Sequence, residues 1–398
     1  MIYLDYSATT PVNYDVLDSY LRATKDFPGN PNSLHSLGVK SKALLNSALK
    51  QVSEIFNVLE SELTFTSGAT ESNNFALIGT ALANMKYGNH IIVSKLEHPS
   101  IYAICEYLTT LGFSISYVDN DESGLVDFED LKKKMRSDTI LVSICAVNSE
   151  TGVRQPLKMI RQVIKKENAY TYLHSDMTQA LGKIPVNFHD VDLASCSAHK
   201  IYGPKGIGLF YKNSRVKFSP VLYGSGQINK LNPGTPAVPL IVAFAKAIRL
   251  ATSDLDKREN FIKRLNDKIV NELEKYDGVI INHSKICIPH ILNISLKDIK
   301  AETFLHALEE YEIYLSTNTA CSSGELSTSV MALYNDQKRA SSTLRISLSH
   351  LTTTDEVNKF LACFKLVYQK LSLIKGEKRE NERDFVKFLD HFLGGYQN

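Results

Sequence analysis

Residues 139–148 read TILVSICAVN, and the first six form a mostly apolar run that is typical of a buried β-strand. Similar runs occur at 63–66 (LTFT), 90–94 (HIIVS), 114–118 (SISYV) and 170–175 (YTYLHS). Helix-length amphipathic stretches separate them, and in residues 44–56 the apolar side chains recur at helical spacing. Strands that alternate with helices predict an α/β fold with a mainly parallel sheet that is covered on both faces.

Polar residues follow four of the predicted strands. Ser67 to Thr70 follow the first run, His98 follows the second, Asn148 follows the run at 139–144, and Asp176 follows the last. Ligands of parallel sheets gather at the carboxyl ends of the strands. We therefore expect these residues to lie around one site.

The pattern changes after about residue 255. A long helical segment leads to strands near 278–295, a helix from about 301, a Ser/Thr-rich loop and the strand TLRISLS. This order predicts a smaller α+β domain. We place the large α/β domain at 15–255 and assign 1–14 together with 256–398 to the smaller domain.

Composition excludes several classes of protein. The chain has 398 residues, 43% hydrophobic and 22% charged, with a formal net charge of +2, so direct nucleic-acid binding is not expected. No apolar run approaches the roughly 20 residues of a membrane helix, and the N-terminus lacks a secretory pattern. The six cysteines include no CxxC pair, which argues against a disulfide framework or a metal site. We expect a cytoplasmic protein.

The segment SAHKIYGPKGIG, residues 197–208, places Lys200 just before a glycine-rich turn. A lone lysine is usually a solvated surface residue, but small neighbours let a backbone approach a cofactor, and an amine held beside an aldehyde forms a Schiff base. Asp176, 24 positions upstream, ends a predicted strand, where a carboxylate is also a common helix cap. Buried, it can pair with the protonated pyridine nitrogen of pyridoxal 5'-phosphate. The two residues together predict that cofactor.

Two further segments fit the same cofactor. SGATESNN, residues 67–74, combines a glycine-containing turn with a helix start, whose free N–H groups favour phosphate, and Thr70 adds a hydroxyl. The chain has no GxxxxGK[ST] motif, so a nucleoside triphosphate is a poorer guess. His98 can stack on a planar cofactor and shuttle protons, although a lone histidine is more often structural.

Cys321 lies in LSTNTACSSGELSTS, a polar segment without helical or strand periodicity. This predicts a loop with an accessible thiol, whereas we interpret Cys105, Cys145 and Cys363 as buried. Arg345 is a single cation in the apolar strand STLRISLS. A buried arginine needs an anion, and a substrate carboxylate is a candidate.

Taken in order, many blocks of the chain resemble the cysteine desulfurases of the NifS/IscS type. These are class-V aminotransferases of fold-type I, the aspartate aminotransferase-like pyridoxal-phosphate enzymes. The resemblance covers nearly the whole chain, through IYLDYSATTPV, GNPNSLHSLG, SGATESNN, EHPS, NSETGVRQP, HSDMTQALGK, SAHKIYGPKGIG, TACSS and LRISLS.

The resemblance implies three catalytic residues, Lys200, His98 and Cys321, with the Cys321 thiol forming a persulfide. Asp176 would pair with the pyridine nitrogen and Gln179 with the phenolic oxygen. The implied cofactor-binding residues are Ala69, Thr70, His98, Asn148, Asp176, Gln179, Ser197, His199, Lys200 and, from the second subunit of a homodimer, Thr235. L-cysteine would be held by Asn32, Asn148 and Arg345.

Some positions depart from the family pattern. GSGQI stands where GGGQE is common, and Asn232-Pro233-Gly234-Thr235 lacks the arginine usual at its first position. The loop after Cys321 is a few residues shorter than in housekeeping members, and residues 375–398 do not resemble their scaffold-binding tail. These differences affect the expected partner more than the chemistry.

The expected activity converts L-cysteine to L-alanine and passes the persulfide sulfur to a protein acceptor. That acceptor would serve iron–sulfur assembly, tRNA thiolation or DNA phosphorothioation. Alternatives on the same fold are a selenocysteine lyase and an aminotransferase. A non-catalytic binding or regulatory protein is a further alternative, which the combination of Lys200, Asp176, His98 and Cys321 disfavours.

Overall fold

The structure is a computed structural model that describes residues 1–225, 231–282, 284–317 and 326–377. The strands are β1 (Ile2–Tyr3), β2 (Leu63–Thr66), β3 (His90–Ser94), β4 (Ser114–Val118), β5 (Thr139–Ser143), β6 (Tyr172–Asp176), β7 (Leu193–Ser197), β8 (Gly208–Lys212), β9 (Val279–Ile281), β10 (Ile291–Leu296), β11 (Ile313–Tyr314) and β12 (Thr343–Ser347). No helix within these ranges is long and apolar enough to cross a membrane.

The helices include a π-helical turn and several short ones. They are α1 (Tyr14–Asp26), α2 (Ser36–Phe56), α3 (Ala69–Asn74), α4 (Thr80–Asn84), α5 (Pro99–Thr110), α6 (Phe128–Lys134), α7 (Leu157–Glu167), α8 (Val238–Thr252), α9 (Leu255–Leu273), α10 (Ala301–Glu309), α11 (Thr328–Tyr334), α12 (Gln337–Ser341) and α13 (Thr354–Glu377). The π-helical turn, Phe75–Gly79, joins α3 to α4.

The large sheet has the strand order β2-β8-β7-β6-β5-β3-β4. The five strands β4, β3, β5, β6 and β7 pair in parallel, while β8 runs antiparallel to both β7 and β2. Because β8 is antiparallel to both of its neighbours, β2 runs in the same direction as β7. Its carboxyl end therefore lies at the same edge as those of β7, β6, β5 and β3. The predicted α/β fold with a mainly parallel sheet is confirmed.

Burial on both faces explains why these strands are nearly continuous apolar runs. Every residue of β3, β5 and β7 is buried, as expected for a sheet covered by helices on each side. On one face, Phe56 of α2 stacks on Phe188 with ring centroids 4.2 Å apart, and Phe188 stacks on Tyr211 of β8. Burying each such side chain contributes about 1.5–3 kcal/mol to the free energy of unfolding.

A close approach of two glycines fixes the turn after β2 against β8. A Cβ atom on Gly208 would lie 2.6 Å from the carbonyl carbon of Gly68 and 2.7 Å from the carbonyl oxygen of Cys196. Only glycine fits at position 208 without moving the backbone. This packing holds the SGATESNN turn beside the end of β7.

A second core lies around the antiparallel sheet β12-β10-β9 and the pair β1-β11. Leu4 at the N-terminus packs in it with Phe304 and Phe364. The same segment also contacts the large sheet, because the Thr10 hydroxyl donates to the carbonyl oxygen of His199 at 2.9 Å. The division into 15–255 and 1–14 with 256–398 follows these two cores and stays a prediction.

Candidate active site

A cavity of about 640 Å³ lies at the carboxyl edge of the large sheet. The structure brings nine of the predicted site residues into its lining: Ala69, Thr70, His98, Asp176, Gln179, Ser197, His199, Lys200 and Arg345. The predicted convergence has a simple cause, since the parallel strands deliver their following loops to one edge.

Lys200 ends a short 3₁₀ turn, Ala198–Lys200, that directly follows β7. Its Nζ donates to the carbonyl oxygens of Ser7 at 2.6 Å and Ala8 at 2.7 Å. Both acceptors belong to the N-terminal segment, which thus forms one wall of the cavity. In both of these hydrogen bonds the acceptor of the amine is a backbone carbonyl oxygen and not a carboxylate.

Asp176 is the last residue of β6 and is buried. One carboxylate oxygen accepts from the Thr178 backbone N–H and the other accepts from the side-chain amide of Asn73, both at 2.9 Å. The Asn73 amide also donates to the Ser100 hydroxyl at 3.1 Å. Asn73 therefore connects the predicted ring-nitrogen partner to the helix that begins at His98.

His98 caps the N-terminus of α5. Its Nδ1 accepts from the backbone N–H of Ser100 at 3.2 Å, so the proton of the neutral ring is on Nε2. Burial lowers the pKa of His98, Asp176 opposes that effect, and Lys200 adds to it. The imidazole is thus biased toward its uncharged form, which suits a group that stacks on an aromatic ring and exchanges a proton.

One end of the cavity, where the sequence predicts the phosphate, is formed by the Gly68 turn and by the residues after β7. Gly68 is the N-cap of α3, and the Glu71 carboxylate accepts the backbone N–H of Ser67. On the other side, Nδ1 of His199 is 3.1 Å from the Thr9 hydroxyl. Burial, followed by the charges of three nearby lysines, lowers the pKa of His199 to about 4. This imidazole is neutral at physiological pH and can donate or accept a hydrogen bond.

Five side-chain atoms of residues lining this cavity are buried and have no hydrogen-bond partner among the residues that the structure describes: Ser7 Oγ, Asn73 Oδ1, Thr178 Oγ1, Gln179 Oε1 and Arg345 Nε. Gln179 is oriented by its amide nitrogen, which donates to the carbonyl oxygen of Ser7 at 2.9 Å. Buried polar atoms are normally paired, so a cluster of unpaired ones indicates a missing polar ligand. With the lysine, carboxylate and imidazole, they fit pyridoxal phosphate.

Arg345 lies in β12 and is only 2% exposed. One terminal nitrogen donates to the Asp5 carboxylate at 2.8 Å, and the other donates to the carbonyl oxygen of Ser149 at 3.1 Å. Its Nε is buried and unpaired. The anion that a buried arginine requires is therefore supplied in this structure by the N-terminal segment, and the predicted contact with a substrate carboxylate stays a prediction.

Three predicted site residues do not line the cavity. The Asn148 amide is fully engaged, donating to the carbonyl oxygen of Leu96 and the Ser329 hydroxyl while its oxygen accepts from residues 150 and 151. Asn32 has a buried, unpaired side-chain oxygen elsewhere. Thr235 lines a neighbouring cavity of about 700 Å³, which shares Ser67 and Glu71 with the first.

Cys321 lies outside the described residues, but both flanks of its segment are anchored at the site. Ser316 pairs with Arg345, with its carbonyl oxygen accepting the Arg345 backbone N–H at 2.7 Å. The Ser327 hydroxyl donates to the buried Glu150 carboxylate.

Sequence reasoning assigned no role to Asp5, Asn73, Ser100 or Glu150. Each of the four lies inside a sequence block that carries the family resemblance, so its position in that block could have indicated a role at the site. Their roles depend on partners that are distant in sequence, as in the Asp5–Arg345 pair. The described residues contain no group of His, Cys, Asp and Glu that could hold a metal ion.

Comparisons with known proteins agree with this geometry. A family model described as aminotransferase class-V matches residues 2–360. The chain is 36% identical over 385 residues to a protein named cysteine desulfurase IscS from Dictyoglomus turgidum, covering 95% of this chain and 97% of that protein.

Two solved structures are also similar. One, named NIFS-like protein, has 35% identity and a TM-score of 0.87, and the match covers 94% of this chain and 99% of that one. The other, described as SspA in complex with cysteine, has 29% identity and a TM-score of 0.77, with 89% of this chain and 100% of that one covered.

The Asp5–Arg345 pair yields a first prediction. Asp5→Asn leaves the buried guanidinium without a counter-charge, so the free energy of unfolding should fall by about 3 kcal/mol. Asp267→Asn breaks the exposed pair with Lys263 on α9 and should have little effect. Denaturant unfolding monitored by circular dichroism measures both variants, and equal stability of the two would contradict a structural role for Asp5.

Proposed function

Because the chain belongs to the class-V aminotransferase family and is a cysteine desulfurase, we propose that it converts L-cysteine to L-alanine with pyridoxal phosphate held by Lys200. The sulfur is collected on Cys321. The observation that carries the proposal is the cavity at the carboxyl edge of the sheet. It joins an amine, a buried carboxylate and a neutral imidazole to five buried polar atoms that have no partner among the described residues.

Lys200 would hold the aldehyde carbon of the cofactor, and Asp176 would hold its protonated pyridine nitrogen. Bound in this way, pyridoxal phosphate supplies an electron sink for negative charge at the substrate α-carbon. Asn73 keeps the Asp176 carboxylate oriented through their 2.9 Å hydrogen bond. Gln179 and the residues after β7 would hold the phenolic oxygen and the phosphate.

Proton movements would fall to Lys200 and His98. The Lys200 amine would take the substrate α-proton, since it lies at the cavity lining, where the cofactor would be held. His98 Nε2 carries the exchangeable proton of its ring and is available for proton transfer at the cavity. Arg345 would hold the substrate carboxylate through its unpaired Nε, while Asp5 and Ser149 keep the guanidinium in place.

The overall reaction balances without an added oxidant. The carbon–sulfur bond of L-cysteine breaks and a sulfur–sulfur bond to Cys321 forms. The carbon takes up the proton and becomes the methyl group of L-alanine, while the transferred sulfur remains as the persulfide. A selenocysteine lyase or an aminotransferase would not leave this extra sulfur on the chain, and an aminotransferase would produce a keto acid.

The persulfide would pass to a protein acceptor of the iron–sulfur, tRNA-thiolation or DNA-phosphorothioation type. We propose a cytoplasmic location, which the unpaired state of five described cysteines supports: Cys105, Cys145, Cys196, Cys287 and Cys363. Burial raises the pKa of all five thiols, so none of them has the thiolate character of a nucleophile.

A homodimer would complete the site. The cavity that contains Thr235 is lined by residues of α2, whose Leu37 and Val39 are about half exposed. We place the dimer interface on this helix. Across a two-fold axis, the Thr235 hydroxyl would reach the phosphate of the neighbouring subunit, which its own cavity does not provide.

The covalent role of Lys200 is tested by spectroscopy. The wild-type protein should be yellow, with a visible band that borohydride removes. Lys200→Ala should lose the band and keep the circular dichroism spectrum of the fold. Lys212→Ala, which changes a lysine at the far end of β8, is the control. A colourless wild type that takes up no added pyridoxal phosphate would overturn the proposed function.

The role of Cys321 separates a desulfurase from other enzymes of this fold. Cys321→Ser should still bind the cofactor and change spectrum with L-cysteine, but it should release no alanine. Mass spectrometry of the wild type after L-cysteine treatment should find one extra sulfur on the Cys321 peptide. Cys287→Ser is the matched control. If Cys321→Ser makes alanine at the wild-type rate, the thiol is not the nucleophile.

The assembly is tested by light scattering. The wild type should have twice the 44.5 kDa mass of one chain. Leu37→Glu should weaken association, because it places a charge in the proposed interface. Leu366→Glu, at a residue of α13 that is 54% exposed, should leave the mass unchanged. An active wild-type monomer at the assay concentration would contradict the dimer.

A further inference from the structure

A second, much smaller cavity lies behind Lys200. Its volume is about 10 Å³, enough for one water at most. Lys200 lines both this cavity and the large one. The titratable or charged side chains around it come from six segments of the chain: Tyr6, Lys183, Lys200 and Tyr202, Arg258 of α9, His290 and His350.

Lys183 has no role in the proposed reaction, yet it is only 7% exposed. It lies in the turn after β6, and its Nζ is buried without a hydrogen-bond partner. An unpaired ammonium group in such a place is strongly disfavoured. The turn also contains Gly182, whose φ of +72° lies in the left-handed region that favours glycine.

The surroundings of Lys183 contain positive charge and, among the described residues that line the small cavity, no Asp or Glu. Burial, then the charges of Lys200 and Arg345, lower the pKa of Lys183 to about 7. Burial also lowers the pKa of His290 to about 3 and that of His350 to about 4, so both imidazoles are neutral. Burial raises the pKa of Tyr6, and that of Tyr202 to about 12, so neither phenol supplies a negative charge.

We propose that Lys183 is a positioning residue for Lys200: both residues line the small cavity, whose described lining contains no Asp or Glu, so a positive charge on either amine disfavours a positive charge on the other. This inference deepens the proposed function and rests on Lys200 being the amine that holds the cofactor. Arg345 does not replace Lys183 in this role, because the Asp5 carboxylate neutralises it at 2.8 Å.

The consequence concerns the base in the reaction. Lys200 must be uncharged before it can accept the substrate α-proton, and a charged neighbour favours the uncharged form. When Lys200 has gained that proton, the same repulsion favours loss of a proton from Lys183. The pair therefore tends to carry a single positive charge throughout the cycle.

The experiment is a pH titration of the visible band of the holoenzyme, which reports protonation of the Lys200 linkage. Lys183→Met keeps the length of the side chain and removes the charge. The midpoint should rise by about one pH unit, a tenfold gain in proton affinity, because the repulsion is gone. Lys212→Met is the matched control and should titrate like the wild type. Should Lys183→Met not fold, Lys183→Gln is titrated in its place.

The titration distinguishes failure of the inference about Lys183 from failure of the proposed function. If wild type and variant both show the borohydride-sensitive band with the same midpoint, the inference about Lys183 is wrong and the proposed function stands. If neither shows the band, the proposed function itself fails.

A second measurement does not depend on the cofactor spectrum. Between pH 7 and about 10.5 the unfolded chain holds a proton on Lys183 that the native protein does not, so raising the pH stabilises the wild type. The melting temperature of the wild type should therefore rise relative to that of Lys183→Met across this window, and the difference should be constant below it. A difference that is constant across the whole range would overturn the burial of an uncharged Lys183.

Discussion

A buried guanidinium is the constraint on which the arrangement of the site depends. Arg345 is almost inaccessible to water, and a charge in that position is strongly unfavourable unless it is paired. Its partner, Asp5, comes from the other end of the chain at 2.8 Å. The pair holds the N-terminal segment in place, and the carbonyl oxygens of Ser7 and Ala8 in that segment then hold the Lys200 amine.

Burial also decides which groups at the site are charged. It lowers the pKa of His98 and His199 and raises the pKa of Glu97 to about 8. Glu97 nevertheless has a structural use, because one of its oxygens accepts from the backbone N–H of Cys145 at 2.6 Å. That bond ties the loop that carries His98 to the end of β5. Asp176, in contrast, has two defined hydrogen-bond donors in Asn73 and Thr178.

Much of this could be predicted from the sequence. Each apolar run in the first half is a strand in the structure, and TILVSI at 139–144 corresponds to β5. His98, which follows β3, and Asp176, the last residue of β6, line one cavity as expected. Asn148 follows β5 but does not line the cavity. Its amide instead donates to the Leu96 carbonyl oxygen, in the loop after β3, and to the Ser329 hydroxyl. Position at a strand end therefore places a residue near the site and does not orient its side chain.

The sequence by itself determined the sheet, its carboxyl-edge site and the family, because strand periodicity and motif order are local properties of the chain. Only the tertiary structure decided which buried groups are paired. Asp5 and Arg345 are 340 positions apart, and no local pattern records that they meet. Lys183 is a similar case, since its sequence neighbours do not reveal that the fold places it in a cavity with Lys200 and without a carboxylate. Pairing and desolvation depend on distant segments, so folding alone fixes the charge of such groups.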